Sequence, residues 1–509
     1  MTSLMKHVVR VHTSLRRSAE PDRRSQTAAH HDRYVNSPKP LRKNRHLLVG
    51  GLLQISSLAL WTASQISINF ATSLAATVAL DGAAADTRPP RTDDIQELTL
   101  AGSWDVTPTD LSAFRSRVRD FLDREVPALL DGVTEFADRA RAYRRALHEA
   151  GLAGLSIPQE FGGQGLPQEY ERAFAEESAE TVPPEDKLFL LGLITILPTL
   201  VTVGAVDLAR SFGPRILSGE YSACQLFSEP EAGSDLPGVR TRAVPDGEGG
   251  WIITGQKVWT TFAHHARLGL LLARTDPDVP KHAGLSMFLI DMDVPGVEVR
   301  PLRQMTGDCE FNEVFLDGVR VSGDRLVGAV GDGWKTALTV LGHERLTVSR
   351  SGNTAARRPL PVAELVHQAQ RMGRTGDTTV RRDLLDAWMG ERTAALITDR
   401  IGELARSGRA PGPETSLGKL HRTANGLRNA RIAADLAFDG GAAWDGADDE
   451  LTALTHQILD APGLGFGGGT DEIQRNTIGE RILGLPREPS VERGVPFSEL
   501  LTAQRQEKL

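Results

Sequence analysis

The sequence predicts an α+β protein in which helices precede and follow a small β domain. Between about residues 105 and 220, apolar residues recur at three- and four-residue spacing, which indicates helices. Short runs rich in β-branched residues, separated by Gly, Pro and Asp, fill about residues 221–330 and indicate strands. Long Ala-, Leu- and Arg-rich helical patterns return after residue 330. The predicted order is therefore helices, sheet, helices.

The first helical domain is predicted over residues 101–220. DLSAFRSRVRDFLDREVPALL and FADRARAYRRALHEAG are helical in pattern, and Gly151 stands where a C-cap glycine would end the second helix. The apolar stretch LFLLGLITILPTLVTVGAVDLA contains Pro198 and has charged neighbours. Because proline interrupts a helix, this stretch favours a pair of buried helices over a membrane span.

A small β domain of the barrel or sandwich kind is predicted over residues 221–330. Its candidate strands lie in GGWIITGQKVWTT, LGLLLART, LSMFLIDM, VEVRPL and EFNEVFLDGVRV. From GDGWKTALTVLGHERLTVSR onward helices are predicted over residues 331–490, with a tail at 491–509. Cys224 and Cys309 lack the spacing of a disulfide framework or a zinc site. We therefore predict that both are buried small hydrophobic residues and that no metal is bound.

The charge of the chain is divided unevenly. Residues 1–45 hold eleven Lys/Arg and three acidic residues, a net charge of +8. Because the whole chain carries −8, residues 46–509 carry −16. Nucleic-acid binding depends on Lys and Arg that neutralise phosphates, so an acidic body argues against it. We expect no nucleic-acid partner and a cytoplasmic location.

Residues 1–100 predict a basic, disordered extension. Its segment 46–80 has no charged side chain and is long enough to cross a bilayer, but Gln54, Gln65 and Asn69 interrupt it. LDGAAADT resembles a signal cleavage site, and ADTRPPRT (residues 85–92) is typical of a linker. Three interpretations of the extension stay open. The first is a segment without a role in the chemistry, for example an over-long gene start. The second is a membrane-associated segment, and the third is a cleaved signal. We favour the first, so membrane contact is not the favoured reading.

Gly463, Gly465 and Gly468 satisfy the G-x-G-x-x-G pattern of dinucleotide-binding loops, but their context argues against that function. The pattern needs a preceding strand and an acidic residue about 20 positions later. Here the preceding LTALTHQILD is helical in pattern. The segment instead predicts a glycine loop that leads into a helix, with Thr470 as N-cap and Glu472 in the first turn.

Four motifs, in this order, resemble the acyl-CoA dehydrogenase flavoprotein family. They are LFSEPEAGSDL (226–236), ITGQKVWTT (253–261), GDGW (331–334) and GGGTDEIQRNTIGERILGLPRE (467–488). The resemblance covers roughly residues 105–490 and implies that the C-terminal helices form a four-helix bundle. It also implies FAD as cofactor, an acyl-CoA substrate along the flavin, an electron-transfer flavoprotein as electron acceptor, and a homo- or hetero-oligomer, either dimer or tetramer.

The resemblance assigns the loop after the first strand to the cofactor. The residues concerned are Gln225, Leu226, Phe227, Ser228 and Ser234. Ser228 and nearby N–H groups would bind the pyrimidine edge of the flavin, and Ser234 would lie near the CoA pyrophosphate. At Glu231 this chain departs from the glycine that is usual in the family, which adds a charge beside the loop.

A second group of residues would surround the flavin ring. Trp259, Thr260 and Thr261 would pack on the isoalloxazine and hydrogen-bond to it around N5, and Thr470 and Glu472 would contact the cofactor at a helix start. By itself, Trp259 would be interpreted as a strand-core indole. The neighbouring motifs favour the flavin role.

The implied reaction needs a carboxylate that removes the α-proton of a thioester. In much of the family this base is a Glu directly before Gly-Thr, a position held here by Gly468. Relatives similar to the isovaleryl-CoA and long-chain dehydrogenases carry it on a helix, in a sequence like L-x-x-E-R. LGHER places Glu344 there, although a Glu beside an Arg can also be a surface ion-pair residue. We predict Glu344 as the base and Arg345, Gly468 and Gly469 as substrate-binding residues.

One stretch of the family pattern is missing. R-x-F-G, which in relatives touches FAD across a subunit interface, has no match after Arg350, where RMGRTGDTTVRRD stands.

The leading hypothesis is an FAD-dependent acyl-CoA dehydrogenase. The alternatives are an acyl-CoA oxidase or flavin monooxygenase on the same fold, and a non-catalytic partner subunit of a heteromeric acyl-CoA dehydrogenase. The acyl group stays open between fatty, branched and sterol-derived chains.

Overall fold

A computed structural model describes residues 110–178, 181–350, 360–407, 412–442, 449–490 and 492–507. The predicted basic extension, with its uncharged segment 46–80 and its linker 85–92, lies outside the described residues. Within the described ranges, none of the helices combines the length and the apolar character that a bilayer crossing requires.

Helices form the N-terminal part of the body. They are α1 (Leu111–Asp120), α2 (Val126–Leu130), α3 (Phe136–Glu149), α4 (Gln168–Glu177), α5 (Leu197–Thr202) and α6 (Val206–Leu217). Gly151 follows the end of α3 with φ of 65°, as predicted for a C-cap glycine. The apolar stretch around Pro198 divides into α5 and α6, and Leu197 and Leu200 on α5 are fully buried. The prediction of a buried helix pair is confirmed.

The middle of the chain forms one curled seven-stranded sheet. Its strands are β1 (Ala223–Leu226), β2 (Arg242–Pro245), β3 (Trp251–Thr261), β4 (Leu268–Arg274), β5 (Leu285–Asp291), β6 (Val297–Leu302) and β7 (Phe311–Val321). Their order is β1-β4-β2-β3-β7-β6, and β5 also pairs with β4. Cys224 is buried as predicted, but Cys309 is exposed. The prediction for Cys309 was wrong because this residue lies in the polar loop between β6 and β7.

Helices return after the sheet, which confirms the predicted order. They are α7 (Gly333–Arg350), α8 (Val362–Arg371), α9 (Thr378–Arg406), α10 (Thr415–Ala442), α11 (Asp449–Asp460), α12 (Asp471–Thr477) and α13 (Phe497–Glu507). α10 packs against α7, α9, α11 and α12, so it lies at the centre of this bundle. α11 contains LTALTHQILD, so a helix rather than a strand precedes the G-x-G-x-x-G glycines. These glycines therefore do not form a dinucleotide fingerprint.

Candidate active site

Strand β3 leaves regular geometry near its end. A bulge lies between Lys257 and Thr260 where β3 pairs with β7, and Trp259 has φ of 60°, which is rare for a residue other than glycine. The bulge turns the Trp259 indole outward, so that 61% of the residue is exposed. The ring packs edge-on against Phe311, with ring centroids 5.9 Å apart. Trp259 is therefore not a strand-core indole, and one face of its ring can receive a flat ligand.

Two side-chain oxygen atoms of the residues predicted for the flavin are buried without a hydrogen-bond partner among the described residues. They are Thr260 Oγ1 and Gln225 Oε1, the latter on β1. Thr260 itself is held in place, because its carbonyl accepts a hydrogen bond from Asn312 Nδ2 at 2.9 Å. Leaving a buried polar group unpaired costs about 1–3 kcal/mol. The two oxygens therefore fit a site that is completed by the polar edge of a ligand.

The loop after β1 lies against the bulge. Val258 N donates to Ser228 O at 2.9 Å, which joins the loop to β3 directly before Trp259. Leu226 and Phe227 are buried, whereas Ser234 is exposed. The structure thus places the loop residue Ser228 against the strand segment that carries Trp259 and Thr260.

The departure at Glu231 does not disturb this loop. Glu231 is exposed and forms an ion pair with Arg240. The added charge therefore points to solvent and has a cationic partner.

The fully buried Lys257 side chain holds this loop to the sheet, and the sequence patterns did not predict this role. Lys257 Nζ donates to Phe227 O at 3.0 Å, Leu272 O at 2.8 Å and Glu229 Oε1 at 2.8 Å. Burial lowers the pKa of Lys257, and the negative charge of Glu229 opposes this shift. Burial disfavours the charged Glu229 as well, but Lys257 and the hydrogen bonds to this carboxylate outweigh it and lower its pKa. The Lys257–Glu229 contact therefore joins the loop to the sheet.

A second buried cation holds the other end of the loop. Arg274, on β4, is 3% exposed and donates to three backbone oxygens: Pro237 O at 2.5 Å, Val239 O at 3.2 Å and Lys281 O at 3.0 Å. Burial lowers the pKa of Arg274 to about 10, which still leaves it charged at neutral pH. A sequence signal existed for Lys257, since a lysine in a strand and Glu229 in the preceding loop have opposite charges. Alternation could not identify it, because the pairing of β3 with β7 is also irregular between Ile253 and Gly255, before Lys257, and such a shift changes which face the following residues occupy.

The predicted base and the glycine loop meet at one point. Glu344 is part-buried on α7, and Gly468 has φ of 68°. A Cβ atom built on Gly468 would lie 3.6 Å from Glu344 Oε1. A side chain at position 468 and the carboxylate of Glu344 would therefore reach the same small volume.

Helix α10 supports the glycine loop from behind. Lys419 Nζ donates to Gly465 O at 3.2 Å and to Asp471 Oδ1 at 2.7 Å, and Thr423 Oγ1 donates to Leu464 O at 3.1 Å. Arg422 lies between these two residues in the sequence. Burial lowers the pKa of Arg422, and the negative charge of Glu344 opposes this shift. Arg422 therefore lies within electrostatic range of Glu344, a position that the sequence patterns did not indicate.

The other predicted residues lie at the start of α12 and on α7. Thr470 is the N-cap of α12, as predicted, because its hydroxyl accepts from Ile473 N at 3.3 Å. Glu472 is exposed and pairs with Arg475 at 3.1 Å within the same helix. The side chain of Arg345 lies outside the described part of the structure. The roles assigned to Glu472 and Arg345 stay predictions.

Comparison with known proteins identifies the class that this fold and site define. Models of the N-terminal, middle and C-terminal domains of acyl-CoA dehydrogenases match residues 108–220, 224–319 and 331–483. Together these matches cover most of the body and follow the helices, sheet and helices of the fold. The chain belongs to the acyl-CoA dehydrogenase family.

The similar proteins agree with this family. Acyl-CoA dehydrogenase IpdE1 of Mycobacterium tuberculosis is 39% identical over 393 residues, which cover 74% of this chain and 99% of IpdE1. Acyl-CoA dehydrogenase FadE34 of the same organism is 39% identical over 362 residues, 71% of this chain, and the chain spans about half (48%) of FadE34. Among solved structures, the ChsE4-ChsE5 complex from M. tuberculosis superposes with a TM-score of 0.59 and 26% identity, covering 79% of this chain and 100% of that chain.

Proposed function

We propose that this chain is an FAD-dependent oxidoreductase that removes two hydrogens from an acyl-CoA thioester, one from Cα and one from Cβ. Glu344 would take the α-proton, and the β-hydrogen would leave as hydride to bound FAD. An electron-transfer flavoprotein would then accept the electrons. The proposal rests above all on the 3.6 Å between Glu344 Oε1 and a Cβ built on Gly468. This distance supports the proposal that the helix-borne carboxylate serves the same acyl group as the more usual base of the family, which the loop would carry.

FAD suits the residues around the β3 bulge. The exposed Trp259 indole offers a flat apolar face, and the neighbouring Thr260 Oγ1 and Gln225 Oε1 on β1 are two buried polar atoms without a partner. An isoalloxazine ring has a flat face and polar edges, so it matches both features. When bound, FAD supplies a two-electron acceptor for the hydride.

The protein's own groups would carry the proton transfer. Glu344 is part-buried, so its carboxylate can be separated from bulk water once an acyl chain covers it. The N–H groups of Gly468 and Gly469 would donate to the thioester carbonyl, where negative charge grows as the α-proton leaves. Ser234 would bind near the CoA pyrophosphate. We include Arg345 and Glu472 as substrate- and cofactor-binding residues on the strength of the family resemblance.

A non-catalytic role in a heteromer is the second candidate. It is favoured by Gly468 and by the turn between α8 and α9, where RMGRTGDTTVRRD replaces R-x-F-G. The solved ChsE4-ChsE5 structure is by its name a complex of two proteins. Glu344 beside the glycine loop and the orphaned acceptors near Trp259 argue for a catalytic subunit instead. We propose an oligomer, either homomeric or heteromeric, in which this chain carries the chemistry.

One experiment separates these functions. The full chain is purified, its flavin spectrum is recorded, and fatty, branched and sterol-derived acyl-CoAs are added without oxygen. We expect bound FAD that bleaches with at least one acyl-CoA, and a rate that falls about 10²- to 10⁴-fold in Glu344→Gln, the usual contribution of a general base. The matched control is Glu364→Gln, an exposed glutamate on α8, which should bleach as the parent does.

Each other outcome points to another function. A chain without flavin would contradict both enzyme proposals and support the partner-subunit role. Rapid reoxidation of the bleached protein by oxygen, in place of electron-transfer flavoprotein, would support an oxidase or monooxygenase. If Glu344→Gln bleaches as fast as the parent, Glu344 is not the base. The cytoplasmic location stays a prediction, which fractionation of cells would test.

A further inference from the structure

The C-terminal segment after residue 490 folds back onto the β domain, although the family models end at residue 483. Phe497 N donates to Val279 O at 3.0 Å, and Ser498 N donates to Pro277 O at 2.9 Å. Pro280 and Pro496 form an isolated β-bridge. The segment that carries α13 is therefore joined by backbone hydrogen bonds to the loop between β4 and β5.

Phe497 lies directly on Arg274, the cation that holds the loop after β1. Its ring centroid is 3.7 Å from Arg274 Cζ, and Phe497 is 5% exposed. A cation over an aromatic face is attracted to it, and the attraction is stronger when both groups are shielded from water. Arg274 thus donates to two backbone oxygens of the loop, Pro237 O and Val239 O. The Phe497 ring covers the guanidinium of the same arginine.

A second connection runs through Lys281. Its ammonium forms ion pairs with Asp235 at 2.7 Å and with Glu492 at 2.5 Å. Asp235 directly follows Ser234 in the loop, and Glu492 belongs to the C-terminal segment. The Lys281 side chain is 14% exposed, so this ion pair is partly shielded from solvent. The C-terminal segment is therefore connected to both ends of the stretch 234–239.

We propose that the C-terminal segment is a positioning element for the substrate, which holds the loop of residues 234–239 in place for the diphosphate of a CoA thioester. Phe497 acts through Arg274, and Glu492 acts through Lys281. The inference rests on the proposed function, because it takes Ser234 as a residue near the CoA pyrophosphate. A loop that is already ordered loses less conformational entropy when the ligand binds, which improves affinity.

The test compares two ligands that differ in the diphosphate. Full-length parent, Phe497→Ala, Phe497→Leu and Glu499→Ala are titrated with coenzyme A and with pantetheine, which lacks the nucleotide and its diphosphate. Phe497→Leu keeps an apolar side chain over Arg274 without the ring, and Glu499→Ala is an exposed control on the same helix. We expect a roughly 5- to 10-fold weaker affinity for coenzyme A in Phe497→Ala and a smaller loss in Phe497→Leu. Pantetheine affinity and flavin content should match the parent in all variants.

Hydrogen exchange of the same proteins, measured without ligand, tests whether the C-terminal segment orders the loop, independently of ligand binding. Amides of residues 234–239 should exchange faster in Phe497→Ala than in the parent and in Glu499→Ala. Unchanged exchange there, or an equal loss of coenzyme A and pantetheine affinity, would overturn the inference. If the loop loosens but coenzyme A binds Phe497→Ala as it binds the parent, the assignment to the diphosphate is wrong. If the loop loosens in Phe497→Ala but acyl-CoA does not bleach the flavin of the parent, the result would instead count against the proposed function.

Discussion

The two sides of the candidate site are built in different ways. On the sheet side, buried charged and polar groups fix the backbone: Lys257 and Asn312 are fully buried, and Glu229 is 7% exposed. On the helical side, the part-buried carboxylate of Glu344 faces Gly468, which has a positive φ, and Lys419 and Thr423 hold this loop mainly by its carbonyls. A cofactor that stays bound benefits from a rigid pocket, whereas a substrate must enter and leave. We therefore propose that the sheet side would hold the cofactor and that the helical side would supply the group that takes the α-proton.

The largest effect on the sheet side should come from Lys257→Met. Removing one partner of a buried ion pair leaves the other charge uncompensated, so we expect a loss of about 3–5 kcal/mol in the free energy of unfolding. Lys335→Met, at an exposed position on α7, is the control and should change this value little. Denaturant titration of both variants checks the prediction. The double variant Lys257→Met/Glu229→Gln should be more stable than Lys257→Met, and equal stability would contradict the pairing.

A second test uses pH on the same ion pair. The pKa of Glu229 is lowered from its ordinary value of 4.5 in the folded protein, so its ionised form stabilises the fold fully above that value. This contribution is lost as the pH falls through the lower folded pKa. The difference in free energy of unfolding between parent and Glu229→Gln should thus be constant above about pH 5 and shrink on acidification. A difference that grows toward acid pH would show that Glu229 is not held ionised.

The smallest expected effect concerns Thr260→Val. In the flavin-free protein Thr260 Oγ1 has no hydrogen bond to lose, so the free energy of unfolding of this form should not fall in the variant. With flavin the variant loses one hydrogen bond, and we expect flavin to bind more weakly by about 1 kcal/mol. Thr199→Val on α5 also removes a buried orphaned hydroxyl and should leave flavin affinity unchanged. Equal flavin affinity in Thr260→Val and the parent would remove Thr260 from the cofactor site.

The order of helices, sheet and helices followed from periodicity, and the position of Glu344 followed from its motif. Both depend on local patterns, and a local pattern is visible in a single sequence. The buried pair Lys257–Glu229 and the cation Arg274 did not follow, because their roles depend on a bulge and on strands that are distant in the chain. The docking of Phe497 was also not foreseen, since a tail after the last motif has no periodicity that shows where it packs. The sequence patterns therefore could not predict the tertiary contacts of the charged residues.

The central claim is that Glu344 and a side chain at position 468 reach the same α-carbon. The most direct measurement is the rate of anaerobic flavin bleaching by acyl-CoA in Glu344→Gly and in Glu344→Gly/Gly468→Glu. The single variant should be about 10²- to 10⁴-fold slower than the parent. The double variant should recover part of this loss, and only part, because a glutamate at φ of 68° is strained by roughly 1–2 kcal/mol. A double variant no faster than the single one, in a protein that still binds flavin, would contradict the claim that the two positions serve one base.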